Sequence, residues 1–290
     1  MGESRDARLR EATTIGFMGD ELVAEIGDAL LVLDPASGRV IDEVAFPDLP
    51  RINGTLLTGD SLWLLDHDNG KVVRVDRESG EVEAEVEIGG RAVSLLATPD
   101  GIWAGSAHIL PESASLIDTD MNEIVRRLEL GAFPVYDDGY LWFGRNETGW
   151  ASTVRKVDPD TGEIVASIDL DGAEGCYLGG RFPDVVWSWC FEPPPNDTDV
   201  TRLDVDALAV AAIQPLGAGG GLLGVYEDTS WLGAEPADGS RRLLKVDNAT
   251  NAVEAVYSSD HVMPITIHDG ALWMIDTDAG ALRRIDLADL

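Results

Sequence analysis

The chain has 290 residues, and 53 acidic against 21 basic residues leave a formal net charge of −32 at neutral pH. A surface this negative repels nucleic acid and anionic bilayers, and both are excluded as partners. The 44% apolar content suits a globular core, yet no run approaches the roughly 18 consecutive apolar residues of a membrane span, so no membrane insertion is expected.

The opening segment, MGESRDARLREATT, is polar throughout and lacks the basic and apolar regions of a secretory leader. From there a repeat takes over. An Asp follows an apolar residue at the end of a short hydrophobic run at Asp34, Asp76, Asp118, Asp158, Asp204, Asp247 and Asp286, at intervals of 39 to 46 residues. Trp63, Trp103, Trp142, Trp187, Trp231 and Trp273 keep step, 13 to 17 residues ahead of the matching Asp, and Val23 takes that place in the first unit. Short strands repeating at about 40 to 45 residues are the signature of a β-propeller. The expected fold is all-β: a seven-bladed β-propeller of four-stranded antiparallel blades, one domain over residues 1–290.

Residues 91–130 serve as the model blade. Strands are predicted near Ala92–Ala97, Ile102–Ser106, Ala114–Asp118 and Glu123–Leu130, separated by turn signals such as Pro99-Asp100-Gly101. The Asp closing strand three can accept a backbone N–H two residues on, as an Asx-turn. Four positions later the turn favours φ > 0, and Gly38, Gly80, Asn122, Gly162 and Asn251 stand there. Leu208 breaks this rule, so the fifth unit is expected to turn differently. The repeated Trp is expected to fill the wedge between neighbouring blades.

The fifth unit carries both cysteines, in CYLGGRFPDVVWSWC. A hairpin centred near Pro183 sets Cys176 opposite Cys190, with Cα atoms about 4.5 Å apart in a non-hydrogen-bonded pair, which permits a disulfide. Two free core thiols are the alternative. Four N-x-T sequons, at Asn53, Asn146, Asn196 and Asn248, fall in predicted loops. Localisation stays open: outside the cytoplasm if Met1 marks a trimmed chain, cytoplasmic otherwise. The last unit stops after its third strand, and its outer strand is expected from Glu3–Ala12, so that the N-terminal strand completes the last blade and leaves no open edge.

The charge also fits a halophilic source, because at molar salt the Debye length shrinks to about 3 Å and self-repulsion is screened. An acidic protein from a GC-rich genome fits equally, since Lys71, Lys156 and Lys245 are the only lysines. A melting temperature that rises with KCl supports the first source, and a flat profile supports the second.

The segments LLVLDPASGRVIDEV, VVRVDRESGEVEAEV and VRKVDPDTGEIVASI, with their LW-bearing second strands, resemble the YVTN and streptogramin lyase (virginiamycin B lyase-like) propeller repeats. The likeness covers nearly the whole chain and rests on scaffold residues. It implies a propeller. For the lyases it also implies opening of a cyclic depsipeptide at its ester by elimination, with His, Glu and Mg²⁺. Those blades carry W-F-T-E after the inner Gly. Here LWLLD, IWAGS, LWFGR, VWSWC, SWLGA and LWMID stand instead, so no catalytic pair is carried over.

In a propeller, ligand sites lie on the face made by strand two-to-three loops and inter-blade loops. That geometry selects Arg51, His67, Arg91, His108, Arg145, Glu192, Glu235, His261 and Asp276 as ligand-binding residues. The His and carboxylates among them suit acid/base or metal chemistry in type, but in so acidic a chain carboxylates fall near almost any His. No catalytic residue and no metal ligand is therefore assigned. Asp66-x-Asp68-x-Gly70 lacks the distal Glu of a calcium loop. AGGGLLG has no following Gly-Lys-Ser/Thr, which removes a phosphate cradle. The function expected is a non-catalytic, monomeric binding or interaction domain, as of a sensor or surface protein. It takes a protein or small-molecule ligand on the channel face and needs no cofactor. The alternative is a metal-dependent lyase or lactonase-like enzyme using Mg²⁺ or Ca²⁺ on the same face.

Overall fold

The computed structural model describes the chain apart from residues 1–13, 19–20, 36, 48, 50, 109–110, 145–152, 171–175, 183–184, 192–197, 218, 236–239, 260–261 and 277–280. Among the described residues strands account for the regular structure, save a 3-10 turn at Leu287–Asp289.

The first sheet is β1 (Thr14–Met18), β2 (Glu21–Ile26), β3 (Ala29–Leu33) and β4 (Val40–Ala45). The second is β5 (Ile52–Thr58), β6 (Ser61–Asp66), β7 (Lys71–Asp76) and β8 (Val82–Glu87). β9 (Arg91–Thr98), β10 (Gly101–Ala107), β11 (Ser113–Asp118) and β12 (Glu123–Leu128) form the third, close to the boundaries expected for the model blade. The fourth holds β13 (Pro134–Asp137), β14 (Tyr140–Phe143), β15 (Thr153–Val157) and β16 (Ile164–Asp169). Next come β17 (Cys176–Phe182), β18 (Val185–Phe191), β19 (Thr198–Asp204) and β20 (Ala209–Gly217). They are followed by β21 (Gly219–Tyr226), β22 (Thr229–Glu235), β23 (Arg241–Asp247) and β24 (Val253–Ser259). The chain ends in β25 (Val262–His268), β26 (Ala271–Asp276) and β27 (Ala281–Asp286). The strands group into two compact units: a terminal one, Met1–Pro47 with Leu216–Leu290, and a central one, Asp48–Pro215.

The fold is an all-β propeller of antiparallel blades, with two corrections to the expected count and closure. Among the described residues hydrogen bonding gives six sheets, not seven blades. The fifth and sixth repeats share one eight-stranded sheet, because β20 reaches β22 through a single parallel rung, Gly217↔Glu235, just before the Gly-rich run that opens β21. The last sheet has three described strands, and no described strand from the N-terminus completes it. β1 instead ladders with β2, Thr14 opposite Glu25 and Met18 opposite Glu21. The segment expected to close the sheet, residues 3–12, lies outside the described residues. What joins last sheet to first is packing: Trp273 shares a core cluster with Leu22, Leu31 and Leu33, and Phe17 stacks on His268 with ring centroids 3.7 Å apart.

The repeated Trp does fill the space between sheets. Trp63 packs with Ile102 and Ile117 of the following sheet, Trp103 with Leu141 and Phe143, and Trp142 with Leu203. Each of these three rings is no more than 1% exposed. Losing such a ring typically costs about 3–5 kcal/mol. A cation sits across the strand from most of them. Register sets Trp63 opposite Arg74, Trp142 opposite Lys156, Trp231 opposite Lys245 and Trp273 opposite Arg284. In the first three pairs the charge lies 5.2 to 5.7 Å from the ring centroid, within cation–π range. The sequence places this cation two residues before the repeated Asp, a regularity the Asp and Trp marks overshadow.

The Asp turns form as the sequence predicts. Asp118 Oδ1 accepts the N–H groups of Asp120 and Met121, each at 2.9 Å, and Asp158 and Asp247 do the same for their followers. Gly38, Gly80, Asn122, Gly162 and Asn251 all take φ between 56° and 74°. Leu208 corrects the expectation of a different turn: its φ is 52°, and Asp204 Oδ1 accepts Asp206 and Ala207 N–H at 3.1 and 2.7 Å. The carboxylate bonds are strong enough to force the usual turn on a leucine.

Candidate functional site

Four of the nine expected ligand-binding residues meet at one end of two neighbouring sheets in the central unit. β6 and β7 are joined by Asp66–Gly70. Asp66 is buried, with Oδ2 accepting Asn69 Nδ2 at 2.8 Å, which ties the turn from within. Gly70 is left-handed at φ 63°, and its carbonyl accepts Ile88 N–H at 2.9 Å and Gly89 N–H at 3.1 Å. A Cβ on Gly70 would stand 2.3 Å from the Gly90 oxygen, so only glycine lets the turn dock on the segment that leads into β9.

Docking carries His67 to the next sheet. Its backbone N–H donates to the Arg51 carbonyl at 3.0 Å, one step beyond the Ile52↔Asp66 rung. Its ring is 5% exposed, and Nδ1 lies 2.9 Å from the Ala92 carbonyl. A carbonyl only accepts, so Nδ1 carries the proton and Nε2 points the other way. Asp68 Oδ1 is 4.0 Å from Nε2, and the His108 ring stands edge-on to the His67 ring with centroids 6.4 Å apart at 80°. His108 follows the last residue of β10, where Ala107 pairs with Arg91, and it holds φ 63°. A left-handed backbone away from Gly stores on the order of 1 kcal/mol and tends to mark working positions. Ser106 Oγ donates to the Gly89 carbonyl and pins β10 to the same linker.

Arg51 and Arg91 are exposed, and neither guanidinium has a hydrogen bond or ion pair among the described residues. Arginines elsewhere in the unit are engaged. Arg74 donates to Ser61 Oγ at 2.9 Å, Thr119 O at 2.7 Å and Asn122 Oδ1 at 3.1 Å, and pairs with Glu83 at 2.9 Å. It borders a polar cleft of about 350 Å³ at the opposite end of the same sheets, lined also by Thr58, Asp60, Thr98 and Gly101. That cleft was not expected from the sequence, and the Arg74 guanidinium is already engaged by Ser61, Thr119, Asn122 and Glu83.

The other expected residues divide. Glu235 ends β22 and is exposed in the terminal unit; Asp276 ends β26 in that unit, its backbone opposite Val262 and Ala281. Arg145, Glu192 and His261 lie outside the described residues. Among the described residues no three His, Cys, Asp or Glu side chains are already gathered as a metal-ligand set. Cys176 and Cys190 are Cα partners, with a bulge between Leu178 and Gly180 bringing them into register. Asn53, expected in a loop, lies exposed within β5 where the register to β6 shifts. No helix among the described residues is long and apolar enough to cross a membrane.

No protein-family model matches the chain, and no curated protein matches it in sequence. Solved structures do. The chain is similar to a hydrazine synthase structure from Kuenenia stuttgartiensis at TM-score 0.68 and 13% identity, over 99% of this chain and 97% of that one. Hsv2 from Kluyvelomyces marxianus aligns at TM-score 0.64 and 10% identity, over 96% and 99%. BamB from Moraxella catarrhalis aligns at 0.59 and 14%, over 94% and 84%. At these identities the likeness establishes the β-propeller fold and nothing finer.

Proposed function

We propose that this β-propeller is a non-catalytic interaction domain that takes its ligand where Arg51, His67, Arg91 and His108 meet. The ligand is a protein or small molecule presenting an acidic group. One observation carries the reading: two exposed arginines without described partners lie next to His67 and His108 along the backbone, on a chain of net charge −32. Arginine offers a planar fork matched to carboxylate or phosphate, and it discriminates best where no internal acid competes for it. The resemblance to YVTN and streptogramin lyase repeats belongs to the same proposal, as a source of blades without an assigned active pair.

A thermal-shift screen of dicarboxylates, inorganic phosphate and sulfate tests it, run on the parent and on an Arg51→Ala/Arg91→Ala variant. At least one anion class is expected to raise the parent's Tm and to leave the variant unmoved. Equal shifts in both proteins refute the assignment. We propose as well a disulfide between Cys176 and Cys190, supported by their facing positions in the ladder. Denatured, unreduced protein should then titrate no free thiol; two free thiols sink the idea.

A further inference from the structure

We propose that Asn53-Gly54 is a site of spontaneous covalent modification, where the Asn53 side-chain amide is lost as ammonia and the chain keeps aspartate or isoaspartate in its place. Asn69-Gly70, the same dipeptide one hairpin later, is protected from this reaction by its turn.

The reaction is intramolecular. The Gly54 backbone nitrogen attacks Asn53 Cγ, the new C–N bond closes a cyclic imide, and the side-chain nitrogen leaves with the Gly54 proton as ammonia. Water then adds to either imide carbonyl and opens the ring, one way to aspartate and the other to isoaspartate. Water is the only co-reactant, and nothing is oxidised or reduced. The chemistry needs an untied Asn side chain, a backbone nitrogen outside a regular ladder and a following residue that does not crowd it. Asn53 is exposed within β5, and its side chain has no hydrogen bond among the described residues. Asn53 and Gly54 stand where the register to β6 skips from Ile52↔Asp66 to Thr55↔Leu64, two residues facing one. A bulge of this kind leaves a residue unpaired and disrupts the ladder locally. Gly54 holds φ 148°, and a Cβ there would stand 3.2 Å from Leu65 Cδ1. The position thus selects the one residue with no side chain to screen its nitrogen.

Asn69-Gly70 is built the other way. Asn69 Nδ2 donates to the buried Asp66 carboxylate at 2.8 Å, and the Asn69 backbone N–H donates to the same group at 3.3 Å. The Gly70 carbonyl, accepting Ile88 and Gly89 N–H, holds the turn in place. Tying an amide to a carboxylate slows a reaction that needs the freed amide by about tenfold or more. Conversion at Asn53 has defined effects. Either product adds one negative charge, and isoaspartate lengthens the main chain by one atom beside the Ile52↔Asp66 rung that precedes His67. The new carboxylate lies two residues from Arg51, about 7 Å along an extended chain, and competes there with an external acid. That effect on binding rests on the anion reading; the modification does not.

The test ages the full chain, free of glycan, at mildly alkaline pH, both folded and in urea, and follows it by tandem mass spectrometry after trypsin. Cleavage after Arg51 and Lys71 gives one peptide, Ile52–Lys71, whose side-chain amides are those of Asn53 and Asn69. The folded chain is expected to exchange –NH₂ for –OH at Asn53 at least about tenfold faster than at Asn69. Urea is expected to bring the two rates together. Asn53→Gln, a change at an exposed position, should leave the peptide from the folded chain unaltered. Equal rates at the two positions in the folded chain, faster conversion at Asn69, or none at Asn53 overturns the inference. The mass readout needs no ligand, so a parent that binds no anion sinks the anion reading alone.

Discussion

The two ends of the β5–β8 sheet are closed by turns that look alike in sequence and differ in what they hold. At one end Asp76 leads to Gly80, and at the other Asp66 leads to Gly70. Asp76 is half-buried and accepts Ser79 N–H at 2.7 Å and Ser79 Oγ–H at 2.8 Å, so its carboxylate is satisfied within its own turn. Asp66 is buried, and its turn is finished only by the neighbouring sheet, through Gly70 to Ile88 and Gly89 and through His67 to Ala92. The local carboxylate bonds of the first kind recur at Asp118, Asp158, Asp204 and Asp247. Among the described residues the second is seen at Asp66–Gly70, next to Arg51, Arg91 and His108. A repeating end stabilises blades; an end that departs from the repeat is where binding groups gather.

Substituting the two glycines separates these cases most sharply. Both are left-handed, Gly70 at 63° and Gly80 at 71°. Gly80→Ala is expected to cost about 1 kcal/mol of backbone strain. Gly70→Ala adds a collision with the Gly90 backbone, 2.3 Å from the new Cβ, and is expected to cost about 3 kcal/mol in all. Urea midpoints at constant m-value measure both. Equal losses would mean that the Asp66–Gly70 turn is not held by its neighbour, and the contrast between the ends would fail.

A smaller effect probes the repeating end. Leu208 sits at φ 52° with 41% of its surface exposed, in a turn that elsewhere uses Gly or Asn. Leu208→Asn is expected to gain about 1 kcal/mol by removing the left-handed penalty at little loss of burial. A loss of stability on that change would show the turn to be relaxed around leucine.

What the sequence disclosed follows from how local each interaction is. The Asp118 and Asp158 turns were legible because donor and acceptor lie two or three residues apart, and so were the Trp positions, because a strand's register fixes which side chains face inward. The sheet count was not, since it turns on one rung between Gly217 and Glu235, distant in sequence and flanked by glycines. The left-handed turn at Leu208 was not legible, because the Asp204 carboxylate bonds outweigh leucine's backbone preference. At the site, strand register was enough to bring Arg51, His67, Arg91 and His108 to one end. The burial of His67 was not readable, because it depends on docking against the linker at Gly89 and Gly90, two residues that look like an ordinary flexible joint.

The smallest effect concerns pH, and it tests whether the repeating turn is electrostatic at all. Backbone N–H from Ser79, joined by its hydroxyl, holds the Asp76 carboxyl below the usual range, and N–H from Thr161 and Thr250 does so for Asp158 and Asp247. A folded pKa below the unfolded value, about 3.9 for Asp, gives stability that is fully present above that value and is lost as pH falls through the folded one. Asp76→Asn keeps an oxygen for the same bonds but removes the charge. The parent's advantage over this variant should therefore stay level from pH 7 down to about 4 and close below it. A competing contribution has the opposite sign, because removing one negative charge from a chain at −32 relieves repulsion at neutral pH. In about 1 M KCl the screening length is roughly 3 Å, so long-range repulsion fades while a bonded N–H···O⁻ contact persists. If the advantage in high salt does not change across pH 4, the turn is held by bond geometry alone. If it closes there, each repeat is fastened by a charge, and the unique end of the sheet differs from the repeating end by burying its aspartate within the fold.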